Sequence, residues 1–258
     1  MWIDSHCHLD FLPISSIKKV LKSARNSQIS NIIIPSVSPE NLSSVLAIAR
    51  QDDSLFYALG FHPMYVEGIN DSDLFKLSDY IKNSSPVAIG EIGLDLFVRK
   101  DNINKQEHFL TSQLKLAIDY DLPVILHTRN AIDSVLKHLR HFKVRGGIAH
   151  AFNGSDQQAY QFIDLGFKLG FGGAMTYPRA KHIQRLAKEL PIESIVLETD
   201  SPDMPPFWLE RDEQNQPKEL EKIGVFLAQL RGLDPTKMAK MISKNTFEVL
   251  PGLGKLYT

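Results

Sequence analysis

Five of the nine histidines in this 258-residue chain stand in short polar tips that follow apolar runs. The chain opens MWIDSHCHLD, which places His6 and His8 two residues apart between Asp4 and Asp10. Further on, GFHP carries His62 and GEIGLD carries Glu91 and Asp95. LHTR carries His127 and Arg129, AHAF carries His150, and LETDSP carries Glu198 and Asp200. Imidazole nitrogens and carboxylate oxygens are the donors that hold divalent first-row metals, and a metal held by them can activate water for hydrolysis.

Each tip has an ordinary reading on its own. His-x-His is common sequence, His62 beside a proline can shape a turn, and Glu91 between glycines can cap a helix. His127 can be a core histidine with its hydrogen bonds met, and Asp200 before Ser-Pro can close a turn. The ordinary readings must hold at all of these strands together, however. Imidazoles and carboxylates buried without partners are costly, and several of them at one convergent edge are better explained by a shared cation. The other four histidines, His108, His138, His141 and His182, fall on helical segments and read as surface or packing residues.

The elements that carry the tips repeat. MWIDSH, NIIIPSV, LFYALGFHP, PVAIGEIGLD, PVILHTR, GGIAHAF, FKLGFGG and SIVLETD are eight candidate strands. They are near-continuous apolar runs, the pattern of strands buried on both faces of a parallel sheet. Amphipathic stretches separate them; the first presents Ile14, Ile17, Val20, Leu21 and Ala24 at helical spacing. Eight strand–helix units predict an α/β chain folded as a single-domain (β/α)8 TIM barrel over 1–258, with an open doubly wound sheet as the alternative. In a barrel the strand ends meet at the C-terminal rim, where active sites lie. The spacing of His6 and His8 puts both on one face of the first strand, with Cys7 turned away. The stretch 217–249 reads as two helices split at GLDP, and 201–217, with four prolines, as an irregular surface loop.

A formal net charge of −1 excludes a strongly basic module that coats nucleic acid. One cysteine excludes an internal disulfide and fits a reducing compartment. No basic leader or membrane-length apolar run is present, so a cytoplasmic protein with no membrane partner is expected.

Taken in order, DSHCHLD, GFHP, GEIGLD, LHTR, AHAFNG and LETDSP resemble the TatD family of metal-dependent deoxyribonucleases, within the amidohydrolase-like barrels. The match runs from Ile3 to about Pro217. The resemblance implies two divalent metal ions per chain, Zn, Mn, Fe, Co, Ni or Mg. His6, His8 and Asp200 would hold one ion, His127 and His150 the other, and Glu91 would bridge them. His62 would face the substrate. The implied activity is hydrolysis of DNA phosphodiesters from an end, in the 3′ to 5′ sense, with DNA ends or oligonucleotides as substrate and a monomer as the working unit. Asp200, His62 and Glu91 would carry the chemistry. The family often has Arg-Asn-x-Pro after ETDSP; here Gln214 precedes Asn215 and Pro217.

The same donors could serve a metallohydrolase of amides, esters, lactones or phosphomonoesters, since metal ions polarise carbonyl and phosphoryl groups alike. A barrel that only binds its ligand would show a broken donor set, and none is broken. Near-neutral charge fits an enzyme that grips one or two terminal nucleotides. Phe61, Phe152, Tyr177, Phe207 and Trp208 could stack on a splayed base, although packing in the barrel loops is the commoner role for such aromatics, and Arg129 is placed either to meet phosphate or to pair with a carboxylate.

Overall fold

Runs of Ile, Val and Leu lose the most water-exposed apolar surface when both of their faces are covered, and the eight runs do become strands. A computed structural model describes residues 1–98 and 100–254. The strands are β1 (Trp2–Asp4), β2 (Ile29–Pro35), β3 (Leu55–Leu59), β4 (Ala88–Asp95), β5 (Val124–Arg129), β6 (Gly147–Ala149), β7 (Phe167–Phe171) and β8 (Ile195–Leu197). They lie in sequence order, each parallel to the next. Ser5 N–H and Ser5 Oγ both donate to Leu197 O at 3.0 Å, which brings the chain after β1 beside β8 and turns the sheet back on itself. The expected (β/α)8 barrel is therefore the fold, and the open sheet is set aside.

The outer layer consists of α1 (Ile17–Asn26), α2 (Leu42–Ala49), α3 (Asp71–Ser84), α4 (Ile103–Asp119), α5 (Ile132–Phe142), α6 (Asp156–Asp164) and α7 (Lys181–Glu189), followed by α8 (Leu220–Arg231) and α9 (Pro235–Val249). The predicted stripe on α1 buries Ile17, Val20, Leu21 and Ala24, whereas Ile14 lies just before the helix and is exposed. Capping boxes start two of the helices. Asn70 and Asp73 exchange side-chain and backbone bonds at α3, and Ser155 and Gln158 do so at α6. The GLDP split between α8 and α9 has a local cause. Gly232 ends α8 in the left-handed region at φ +65°, then Asp234 caps α9 through Lys237 N–H, with Pro235 at the first helical position.

Within the barrel, Ile3, Ile33, Ala58, Ala88, Ile125, Ile148 and Val196 form an apolar layer, one residue from each of seven strands, packed with Val249, Leu250 and Leu253 from the chain's end. Gly252 lies against Val87, at the start of β4, so this plug covers the mouth where β4 begins. The polar tips are left at the other mouth. No described helix is long and apolar enough to cross a membrane.

Candidate metal centre

Four strands, β1, β3, β6 and β8, are shorter than their apolar runs, and their chemistry falls just beyond them. β1 stops at Asp4, and His6 to His8 continue without strand pairing. This segment is fixed by the chain after β8: Asp200 N–H donates to His6 O at 2.9 Å and His8 N–H to Ser201 O at 2.8 Å. Asp4 accepts the Thr199 hydroxyl at 2.6 Å and the Thr199 N–H at 2.9 Å. An otherwise frayed terminus is thus held on two sides. Cys7 is fully buried on the opposite side from the histidines, its Sγ 3.8 Å from Ser201 O, as the spacing predicts.

Glu91 is the centre of the cluster. Its Oε2 stands 3.2 Å from His6 Nε2 and 3.5 Å from His8 Nε2. Its Oε1 stands 3.0 Å from His127 Nδ1, 3.2 Å from His150 Nε2 and 3.4 Å from His62 Nε2. Asp200 Oδ1 faces His6 Nε2 at 3.5 Å and His8 Nε2 at 3.8 Å. Asp200 takes φ +52°, a conformation uncommon for a residue with a side chain, and the bond to His6 O holds it there. Every residue of the predicted set therefore meets in one place.

The donor set fits divalent cations. His6 Nε2 and His8 Nε2 are only 3.2 Å apart, and ligand atoms of His6, His8 and Asp200 lie within 4.8 Å of one another, as do those of His6, Glu91 and His150 and those of His62, Glu91 and His127. Five imidazoles around one buried carboxylate would otherwise have to share protons. Burial opposes the charged form of Glu91, yet the imidazoles of His62, His150, His6 and His127 hold it well below the usual carboxylate range. Burial likewise opposes charge on His150, but Glu91 and Glu198 raise it well above the ordinary histidine value. His8 is pushed up to about 10 against its burial by Asp10, Glu91 and Asp200. Protons are standing where cations would bind.

His62 differs from the other four. Its Nδ1 accepts Met64 N–H at 3.1 Å, so the neutral ring carries its proton on Nε2, the nitrogen that faces Glu91. A protonated nitrogen donates a hydrogen bond and offers no lone pair to a metal. Burial lowers this ring to about 4, which keeps it in that neutral form.

Two carboxylates read from the sequence only as strand-end polar residues are part of the assembly. Asp95, fully buried, presents Oδ2 to His127 Nε2 at 3.0 Å while its Oδ1 accepts Phe97 and Val98 N–H, each at 2.9 Å. Glu198 Oε1 accepts Ala151 N–H at 2.6 Å and stands 3.3 Å from His150 Nδ1. It fits because position 170 is glycine: a Cβ there would lie 2.3 Å from the Glu198 carboxylate. A carboxylate behind a metal-binding imidazole fixes its tautomer and orientation. The signal in the sequence was their place in GEIGLD and LETD.

The five aromatics weighed for base stacking fall mainly to packing. Phe61 is buried in the core, and Phe152, 1% exposed, packs there on Phe162 while also bordering the cavity. Trp208 is half-buried with its indole N–H on Glu219 at 2.8 Å, and exposed Tyr177 and Phe207 pack on each other, away from the cavity wall. The exposed aromatics on that wall are Phe11, Tyr65 and Phe97. Asn215 braces the loop after β8, its amide donating to Thr199 O at 2.9 Å and Asp203 O at 2.6 Å. Among the helical histidines, His108, His138 and His182 meet Asp71, Glu107 and Gly154 O, away from the centre.

Known proteins resemble the chain along nearly all of its length. The profile of the TatD related DNase family matches residues 3–251. The metal-dependent hydrolase YjjV of Escherichia coli K12 is 40% identical over 250 residues, spanning 95% of this chain and 96% of that protein. The crystal structure of that TatD homologue superposes with a TM-score of 0.92 at 39% identity, covering 97% of this chain and 98% of the other. A TatD family hydrolase from Entamoeba histolytica shares the fold with a TM-score of 0.83 at 19% identity, over 96% and 97% of the two chains.

Proposed function

This chain belongs to the TatD-related DNase family and is a metal-dependent hydrolase; from that premise we propose that it hydrolyses DNA phosphodiesters from an end, in the 3′ to 5′ sense, with two divalent ions. The observation that carries the reading is the split of donors about Glu91. His6 and His8 face one carboxylate oxygen, with Asp200 beside them, while His127 and His150 face the other. His6, His8 and Asp200 would hold one ion, His127 and His150 the second, and Glu91 would bridge. Zn, Mn, Fe, Co and Ni suit so imidazole-rich a set better than Mg. When bound, the ions would supply Lewis acidity and a water that ionises near neutral pH.

The side chains do the remaining work. Asp200 is partly buried, and the loss of solvent raises it above the ordinary carboxylate value against the nearby imidazoles; it would align the attacking water and take its proton. His62 would donate its Nε2–H to a phosphate oxygen or to the departing oxygen. Glu91 would hold the two halves in register. We further infer that the enzyme works as a monomer in the cytoplasm, in keeping with the free, buried Cys7.

Two variants test these roles. Asp200→Asn keeps size and one oxygen, so it should lower single-turnover cleavage by orders of magnitude with little change in DNA affinity. His62→Ala should keep its full metal content and lose about 10²–10⁴-fold in rate. Near-normal cleavage by Asp200→Asn would remove that residue from the mechanism. Loss of an ion from His62→Ala would make His62 a ligand.

A further inference from the structure

The cavity above the donors measures about 1010 Å³, more room than one reacting group needs. Its charged wall is lopsided. Glu91, Asp133, Asp200 and Asp203 line it with carboxylates, and among the described residues Arg129 is its one Lys or Arg.

Arg129 is held firmly. It ends β5, pairs with Asp95 of β4, and its carbonyl accepts Leu96 N–H at 2.9 Å. Its guanidinium carbon lies 4.0 Å from the centre of the exposed Phe97 ring. Elsewhere, Arg25, Arg145 and Arg185 meet Asp52, Asp121 and Asp156. Arg129 has no carboxylate or hydrogen-bond acceptor for its side chain among the described residues. A ring beneath the guanidinium occupies its face and leaves the N–H edge open, and that edge is the part that binds an oxyanion in a two-pronged fashion. Side chains two residues apart share a side of a strand, roughly 6.6 Å along it. Arg129 therefore stands one strand step from His127, on the same wall of the cavity.

We propose that Arg129, seated on Phe97, is a specificity-determining residue that reads a second phosphate of the substrate, next to the one being hydrolysed. This rests on the phosphodiesterase reading and deepens it: the site selects a substrate with neighbouring phosphates, an oligonucleotide end, over a neutral ester or lactone. A neutral substrate would leave the Arg129 donor edge unused, and among the described residues the cavity lining offers an anion no other Lys or Arg.

The test uses metal-loaded wild type, Arg129→Gln, Arg129→Lys and Phe97→Leu, each with its metal content measured. Their kcat and KM are compared on a thymidine dinucleotide with and without an added terminal phosphate, on bis(p-nitrophenyl) phosphate and on p-nitrophenyl acetate. Wild type should prefer the dinucleotide with the added phosphate over the one without it by about 10- to 100-fold, mostly through KM. Arg129→Gln should collapse that ratio towards one with metal content intact. Arg129→Lys should restore part of it, because it keeps the charge and loses the planar fork. Phe97→Leu should shrink it through the lost seat. An unchanged ratio in Arg129→Gln, or an equal loss on all three phosphodiesters, would overturn the assignment of Arg129 alone. Failure of wild type to cleave any phosphodiester while it turns over the acetate would overturn the phosphodiesterase reading and this inference with it.

Discussion

At the scale of single residues, the centre is a carboxylate with too many imidazoles around it. Glu91 lies between five rings at 3.0–3.5 Å, an arrangement that neutral water-borne chemistry does not need and shared cations do. The rings are not equally supported. His127 has Asp95 behind it in a full hydrogen bond, whereas His6 Nδ1 is buried with no partner. Burial opposes the charge on Asp95, but His127 and the Val98 and Phe97 N–H groups hold it at about 2, so it is an anion whenever the protein is folded near neutral pH. Asp95→Asn keeps an oxygen for the two backbone N–H groups and removes the negative charge from the imidazole. On the proposed two-ion reading it should weaken metal binding at the His127 side by about 10–100-fold and leave the other side as it was. Competition with a chromophoric chelator measures both; two unchanged affinities would show Asp95 to be mere packing. The clustered histidines were legible because type and position agreed at the ends of four strands. The supporting carboxylates were less so, since one strand-end acid looks like another until the atoms it faces are known.

At the scale of elements, the site depends on how β1 is joined to β8. The polar segments 5–8 and 198–201 are each too short to fold alone, and each supplies the other's hydrogen bonds. Asp4 is the buried link. Burial pushes its carboxyl from the ordinary 3.8 up to about 8, against the lowering by the Thr199 hydroxyl and amide and the His6 amide. Between those two pH values the native state binds a proton that the unfolded chain does not. Stability should therefore fall as pH rises from 4 to 8, by at most about 1.4 kcal/mol per pH unit from this group. Asp4→Asn removes the contribution, so in metal-free protein the wild-type stability should decline relative to the variant between pH 5 and pH 8. Denaturant midpoints at the two pH values check it, and parallel profiles would contradict it. The eight strands and the GLDP break were readable because long apolar runs and Gly–Asp–Pro punctuation are local signals. The short lengths of β1 and β8 were not, because what fixes the chain beyond them is bonding between segments nearly two hundred residues apart.

At the scale of the whole molecule, an apolar plug closes one mouth of the barrel and the donors open at the other. Which aromatics border the cavity was not legible, since whether a phenylalanine lines a cavity or fills a core is set by tertiary packing and not by its neighbours in sequence. The net charge of −1 and a cavity wall with one Lys or Arg among the described residues suit contact with few phosphates at a time. This brings the account down to one reaction. Metal-reconstituted protein should be given 5′-end-labelled single-stranded and duplex DNA, with a chelator arm, Asp200→Asn as control and an ester and lactone panel alongside. The account predicts a ladder of products shortened stepwise from the 3′ end, abolished by the chelator and restored by added metal. Fully loaded protein that turns over an ester or a lactone while every labelled strand stays intact would contradict it.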